Sequence, residues 1–150
     1  MSEPATPPLF AVLTGDELGA PDVPLDVLQR DALAYARTHF QGRTVVNVAT
    51  GWPIAFGRRG VNKTLNHAAR REHVQSVPAL PALLVHADWI GKEANRDPDE
   101  IRNVPWVHTF AAVLVLAGIA YRVRLIVKET NVGYRFYDHD MIEHKEPADP

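Results

Sequence analysis

The chain has 150 residues, no cysteine and a formal net charge of −2 at pH 7. The lack of cysteine excludes disulfides, thiolate metal ligands and a thiol nucleophile, and it is compatible with the cytosol. The slight acidity excludes a general polyanion binder, so any nucleic-acid role must come from local clusters of basic residues.

This length predicts one domain with a single core. We expect that domain at residues 9–140, a disordered tail at 1–8 and a polar tail at 141–150. The longest uncharged apolar stretch, residues 110–121, is too short to span a bilayer, and the first residues do not resemble a signal peptide. The sequence therefore predicts a protein that acts in the cytoplasm without a membrane partner.

The hydrophobic pattern predicts helices in the first two thirds of the chain and long strands in the last third. Residues 21–41 form an amphipathic helix pattern closed by Gly42, and residues 106–116 are almost entirely apolar after Thr109, which is typical of a central strand. The predicted elements are a strand at 9–13, a helix at 21–41, strands at 43–49 and 54–56, helices at 61–73 and 76–90, an acidic loop at 91–105, and strands at 106–116, 119–129 and 134–139. This order predicts an α+β fold in which N-terminal helices pack on a C-terminal antiparallel meander of about four strands.

One face of the last hairpin is predicted to be basic. Between residues 121 and 128 the odd positions are apolar, while Arg122, Arg124 and Lys128 occupy three of the four even ones. If Glu129 pairs with Tyr134 across the turn, then Arg135, Tyr137 and His139 lie opposite Lys128, Ile126 and Arg124. Residues that face each other on neighbouring strands lie on the same side of the sheet. The side chains then predicted on this surface are Lys128, Arg124, Arg122, Arg135, Tyr137 and His139. A register slip of one residue moves the last two to the other face. A merely solvated face is the alternative, but such faces usually mix charges of both signs.

A second basic element precedes the hairpin. Residues 57–73 contain five basic residues, Arg58, Arg59, Lys63, Arg70 and Arg71, against Glu72 alone. Helical spacing places Lys63, His67 and one of the last two arginines along one stripe. A solvated helix face is again the alternative. If the stripe borders the sheet face, the two elements form a cationic cleft that contains acid and base groups.

Such a cleft has the groups that RNA cleavage without a metal requires. A base takes the 2′-hydroxyl proton, an acid protonates the 5′-oxygen, and cations stabilise the phosphoryl oxygens. Histidine suits proton transfer near neutrality, lysine and arginine hold phosphate, and tyrosine stacks on a base or passes a proton. Residues 138–144 contain metal-type ligands at a spacing that specifies no metal geometry, so we expect no metal or other cofactor.

Five stretches also carry a family resemblance. They are NVATGWPIAF (47–56), GVNKTLNH (60–67), LPALL (80–84), YRVRLIVKE (121–129) and YRFYDH (134–139). Together, over residues 23–139, they resemble the phage and polymorphic-toxin nuclease-like domains of the barnase, EndoU, colicin and RelE group, which occur in phage head-associated and large polyvalent proteins. The resemblance implies an RNase-toxin-like fold whose antiparallel sheet bears the active site, and metal-independent RNA cleavage where that site is intact. Because catalytic residues vary within the group, only Lys63, Thr64, His67 and Lys128 carry over.

We therefore expect a ribonuclease toxin or effector domain, delivered as part of a larger effector or phage protein. Its predicted catalytic residues are His67, Lys128, Lys63, Thr64, Tyr137 and His139, and its predicted phosphate- or RNA-binding residues are Arg122, Arg124, Arg135, Arg70, Arg71, Arg58 and Arg59. The alternative is a non-catalytic phage or mobile-element module that binds RNA or an acidic partner protein through the same face. Expected partners are RNA and, for a toxin, an acidic immunity or antitoxin protein. A third alternative, a hydrolase of a small polar substrate, requires a deep pocket away from the basic face.

Overall fold

The computed structural model describes residues 10–67 and 70–144, without the side chains of residues 10, 67 and 144. The strands are β1 (Phe10–Leu13), β2 (Thr44–Val46), β3 (Pro53–Phe56), β4 (Asp88–Ala94), β5 (Trp106–Leu116), β6 (Ile119–Glu129) and β7 (Arg135–His144). The helices are α1 (Leu25–His39), α2 (Arg58–His67), α3 (Arg71–Gln75) and α4 (Leu80–His86), with a 3₁₀ turn, Val77–Ala79, before α4. The predicted α+β class is confirmed.

The sheet is larger than the predicted meander and is mixed. Its strand order is β1-β5-β6-β7-β3-β2, and β4 also pairs with β5. The predicted antiparallel β5-β6-β7 meander is present, but β1 runs parallel to β5 and β3 runs parallel to β7. The short N-terminal strands therefore add to the two sides of the meander, β1 beside β5 and the β2–β3 pair beside β7. The predicted sheet of about four antiparallel strands had too few strands and lacked the parallel pairs.

The core lies between the helices and one face of β5 and β6. Phe110 pairs with Leu125 across these strands, and both are fully buried together with Leu28 of α1 and Leu83 of α4. A two-residue turn with positive φ at Ala117 and Gly118 joins the two strands. That turn fixes the register.

The register of the β5–β6 hairpin decides which β5 side chains reach the basic face. Thr109 pairs with Ile126, so it shares a face with the even-numbered residues of β6, as a two-residue turn predicts. His108 pairs with Val127 and is buried on the core side.

Three predicted boundaries were wrong. Helix α4 ends at His86, and an edge strand, β4, occupies the end of the predicted helix and the start of the predicted acidic loop. The predicted helix at 61–73 is divided, because Arg70 has an extended backbone and a new helix, α3, begins at Arg71. Strand β7 continues to His144 into the predicted polar tail, since Asp140 and Ile142 point into buried surroundings. The other tail predictions, residues 1–8 and 145–150, lie outside the described residues.

The predicted pairing of β6 with β7 was also wrong, by one residue. Glu129 pairs with Arg135 rather than with Tyr134, which places Tyr137 opposite Val127 on the core side. The ladder is then interrupted by a bulge, and His139 pairs with Ile126. The slip therefore moves Tyr137 and Arg135 off the predicted surface, while the bulge returns His139 to the face of Arg122, Arg124 and Lys128. Burial of the large Tyr137 ring, which is 0% exposed, explains why this register is preferred.

Candidate functional site

Three basic side chains converge on the carboxylate of Asp138, the residue at the bulge of β7. Lys63 Nζ and His139 Nδ1 each lie 2.6 Å from Asp138 Oδ2, and Lys128 Nζ lies 3.5 Å from Asp138 Oδ1. Lys128 Nζ also donates to Glu100 Oε1 at 2.6 Å. We call these five residues the Asp138 cluster. It unites three predicted site residues from α2, β6 and β7 with two carboxylates that the sequence analysis did not select.

A close approach of α2 to the backbone of β7 places Lys63 beside Asp138. At Gly60, a Cβ atom would overlap the carbonyl oxygen of Tyr137 and would lie 3.2 Å from the carbonyl oxygen of Asp138. Only glycine allows this distance between the helix and the strand. Lys63 follows Gly60 by three residues, on the same side of the helix, and therefore reaches the bulge.

The charges of the Asp138 cluster balance one another. Burial alone would raise the pKa of Asp138, but hydrogen bonds from His139 and Lys63 and the charge of Lys128 hold it well below its usual value. The hydrogen bond from Lys128 likewise lowers the pKa of Glu100. Burial would lower the pKa of Lys128, yet Glu100 and Asp138 raise it above its usual value. Two carboxylates thus offset two lysines, so the centre of the site carries less positive charge than the cationic cleft that was predicted.

Asp138 determines the protonation pattern of His139. An ionised carboxylate only accepts hydrogen bonds, so His139 Nδ1 must carry the proton that lies between them. In the neutral ring, Nε2 then has a free lone pair. The side chain is 30% exposed, and no residue in the described ranges forms a hydrogen bond with Nε2. The imidazole is therefore oriented to accept a proton from a bound molecule.

A second, buried network holds β7 on the core side of the bulge. Tyr137 Oη donates to Asp140 Oδ1 at 2.6 Å and lies 2.5 Å from Thr64 Oγ1. His73 Nε2 lies 3.2 Å from Asp140 Oδ2. Burial and the neighbouring Asp140 raise the pKa of Tyr137 well above its usual value, so it remains a neutral phenol. The predicted position of Tyr137 on the RNA-facing surface was wrong, because its ring is part of the core.

Three of the predicted phosphate-binding arginines have partners within the fold. Arg71 donates to two backbone carbonyls that precede α1, and Arg70 donates to a backbone carbonyl of β7. Arg135 lies over the Trp52 ring, with its guanidinium carbon 3.9 Å from the ring centroid. The structure does not bring these three side chains to the Asp138 cluster.

The other four predicted arginines are exposed. Arg58 and Arg59 lie in the first turn of α2, and Arg122 and Arg124 lie on the open face of β6. Arg124 pairs with Met141, two residues along β7 from His139 and on the same face. Long side chains at such diagonal positions come within reach of each other. Arg124 is therefore the exposed arginine on β6 closest in register to His139.

His67 is the last residue of α2, and the structure describes its backbone but not its side chain. Its predicted catalytic role stays a prediction. Thr64, the other residue carried over by the resemblance, is buried against Tyr137 rather than exposed in a cleft.

A second histidine, His108, is held in a fixed neutral state in the core. The indole N–H of Trp89 donates to His108 Nδ1 at 3.1 Å, and His108 Nε2 lies 2.7 Å from Glu129 Oε1. Since an indole can only donate, Nδ1 is unprotonated and Nε2 donates to the carboxylate. Both ring nitrogens are occupied, so His108 stabilises the sheet and is not available to a ligand.

Sequence reasoning missed Glu100, Asp138, Asp140 and His73 as parts of these networks. Asp138 and Asp140 were noted in the sequence only as metal-type ligands whose spacing specifies no metal geometry. Within residues 10–67 and 70–144, no group of three or more acidic or histidine side chains is arranged to hold a metal ion. Nor does this part of the chain contain a helix long and apolar enough to cross a membrane.

The chain also matches a known protein family. A family described as large polyvalent protein-associated domain 3 matches residues 25–137. The matched segment runs from the start of α1 into β7 and includes Lys63, Glu100 and Lys128, whereas Asp138 and His139 follow directly after it. Neither the curated proteins nor the solved structures include a significant match to the chain.

Proposed function

We propose that this chain, which belongs to the large polyvalent protein-associated domain 3 family, is a module of a larger phage or mobile-element protein. We further propose, from the geometry of the Asp138 cluster, that the module cleaves RNA without a metal ion. The observation that carries the proposal is the Asp138–His139 pair. It presents an unpartnered Nε2 beside two lysines that approach the same carboxylate. The match to the family supports the association with polyvalent proteins, and the geometry of the cluster supports the chemistry.

In the proposed reaction, His139 Nε2 removes the proton from a 2′-hydroxyl. The 2′-oxygen attacks the adjacent phosphorus, the bond to the 5′-oxygen breaks, and a 2′,3′-cyclic phosphate forms. Lys63, whose side chain is 38% exposed, is placed to neutralise the phosphoryl oxygens and to protonate the departing 5′-oxygen. Arg124 supplies a further positive charge on the same face as His139.

Lys128 has a different role in this proposal. Its side chain is only 10% exposed and is engaged by both Glu100 and Asp138. Contact with a phosphate would break these buried ion pairs, which is costly. Lys128 is therefore a positioning residue that keeps Asp138 ionised and oriented toward His139, whereas the sequence analysis placed it among the catalytic residues.

The balanced charge of the cluster favours a second candidate function, RNA binding without cleavage. Two of the four charges that a phosphate would meet are negative, while Arg122 and Arg124 remain exposed on the open face of β6. In that case the same face would hold RNA or an acidic protein. If the domain is a toxin, an acidic antitoxin or immunity protein would cover this face.

An RNA cleavage assay in EDTA separates the two functions. We expect the wild-type chain to cleave single-stranded RNA, and His139→Ala to lose roughly 100-fold or more in rate, as is typical for removal of an acid–base group. His39→Ala, which removes an exposed histidine of α1, is the matched control and should cleave normally. Lys63→Ala and His67→Ala test the two remaining acid–base candidates.

RNA binding by the wild-type chain without any cleavage would contradict the enzyme and support the binding module. Cleavage retained in His139→Ala would show that the Asp138 cluster is not the active site. Binding measured against salt gives an independent check, because phosphate contacts predict an affinity that falls steeply as salt is added.

A further inference from the structure

A cavity of about 410 Å³ lies beside the Asp138 cluster. It is bounded by the first turn of α2, the loop at 95–105 and the start of β7. The lining residues that matter here are Arg59, Asp99, Asn103, Tyr134, Phe136 and Asp138. Because Asp138 forms part of its wall, the cavity and the proposed reaction centre share one surface.

One wall of the cavity offers aromatic rings. Tyr134 and Phe136 are two residues apart at the start of β7, and their rings stack with centroids 6.0 Å apart and an angle of 27° between their planes. The Tyr134 side chain is 55% exposed even though it lines the cavity. Exposed rings beside a nucleic-acid site are typical stacking surfaces for unpaired bases.

The polar groups of the cavity fall into two sets. Glu100 and Asp138 are engaged by Lys128 and Lys63, as described above. The side chains of Asp99, Asn103 and Arg59 form no hydrogen bond or ion pair with the residues that the structure describes. The Asp99 carboxylate can accept hydrogen bonds, the Asn103 amide can both donate and accept them, and the Arg59 guanidinium is a cationic donor.

We infer that this cavity binds one nucleotide of a single-stranded RNA, next to the bond that is cleaved. The base stacks on Tyr134 and Phe136, and its hydrogen-bonding edge meets Asp99 and Asn103. A flanking phosphate meets Arg59 in the first turn of α2, where backbone N–H groups also favour anions. A volume of about 410 Å³ is sufficient for one nucleotide and too small for a duplex. The inference rests on the proposed function in taking RNA as the ligand.

The carboxylate of Asp99 gives the cavity a base preference. A carboxylate accepts hydrogen bonds from the exocyclic amino groups of adenine, cytosine and guanine. The uracil edge presents a single N–H donor between two carbonyl oxygens, so a carboxylate that approaches this N–H is repelled by an oxygen on each side of it. Nucleotides that carry an amino group should therefore bind more tightly than uridine nucleotides.

Titration of the full chain with AMP, CMP, GMP and UMP, followed by NMR or calorimetry, tests the inference without any cleavage step. We expect UMP to bind about fivefold or more weakly than the other three, and Tyr134→Ala to weaken every nucleotide by about tenfold, in keeping with the loss of one stacking contact. Asp99→Asn should remove the discrimination against UMP. Two control variants should leave binding unchanged. Val132→Ala, the control for Tyr134→Ala, truncates a residue that is 86% exposed in the turn between β6 and β7, and Asp88→Asn on β4 is the control for Asp99→Asn.

The outcomes also separate this inference from the proposed function. Suppose that the wild-type chain cleaves RNA but binds no mononucleotide, or that it binds all four mononucleotides with one affinity and Tyr134→Ala binds them just as tightly. Either result overturns the inference while the proposed function stands. If nucleotide binding depends on Tyr134 but no RNA is cleaved, the cavity is a nucleotide site and the enzymatic proposal fails.

Discussion

The close approach of α2 to β7 makes Gly60→Ala the sharpest test of how the site is built. An added methyl group would overlap the carbonyl oxygen of Tyr137 and would lie 3.1 Å from its Cδ2 atom. The main obstacle is backbone, which cannot rotate away, so α2 and β7 must separate. Helix propensity alone would favour alanine by about 0.5–1 kcal/mol, whereas overpacking of this kind costs about 1–3 kcal/mol.

We expect a net loss of about 2 kcal/mol in the free energy of unfolding, since the obstructing atom belongs to the backbone. For a domain of this size that corresponds to a fall of roughly 4–8 °C in Tm. Gly57→Ala is the matched control, because a Cβ atom there meets nothing within 4 Å, and its stability should stay within about 0.5 kcal/mol of wild type. Thermal unfolding followed by circular dichroism measures both variants. A Gly60→Ala protein that melts at or above the wild-type temperature would refute the proposed helix–strand contact.

Three further predictions concern buried polar groups. Tyr137→Phe removes the phenol that donates to Asp140 Oδ1, and we expect urea titration to show a loss of about 1–3 kcal/mol. Asn47→Ala leaves two backbone carbonyls at the end of α4 without their donor, and calorimetry should show a loss of about 2–4 kcal/mol. Burial lowers the pKa of His108 from its usual 6.5, so its contribution to stability is complete above that pH and is lost as the pH falls. His108→Gln keeps a side-chain N–H that can donate to Glu129 but cannot titrate. Its free energy of unfolding should therefore fall less than that of the wild type when the pH is lowered from about 7 to 5.5. Equal falls in the two proteins would contradict a neutral buried histidine.

The elements that could be predicted from the sequence are those that carry a strong periodic signal. The strict alternation from Tyr121 to Lys128 predicted β6, and the apolar stretch at 106–116 predicted β5, with the bounds that the structure shows. Helix α1 was predicted for the same reason. Each of these elements buries one face against the core, and that burial determines the sequence pattern.

The features that escaped prediction depend on contacts distant in sequence. β4 is an edge strand with mostly exposed side chains, so it lacks the apolar alternation that identifies a half-buried strand. The bulge at Asp138 arises because Tyr137 must reach Thr64 in the core while His139 faces outward. No local pattern specifies an extra residue in one strand.

The composition of the site was predicted only in part. Lys63, Lys128 and His139 were selected for their charge and chemistry, and the structure brings all three to one carboxylate. Glu100 lies in an acidic surface loop and gave no signal in the sequence. Its pairing with Lys128 depends on how that loop folds over the sheet.

The central claim, that the Asp138 cluster cleaves RNA through the 2′-hydroxyl, is tested most directly by comparing an RNA oligonucleotide with its 2′-O-methyl counterpart in the presence of EDTA. The proposed reaction predicts that only the unmodified strand is cleaved and that the upstream fragment ends in a 2′,3′-cyclic phosphate. Equal cleavage of the 2′-O-methyl strand, or no cleavage of either strand, would contradict it.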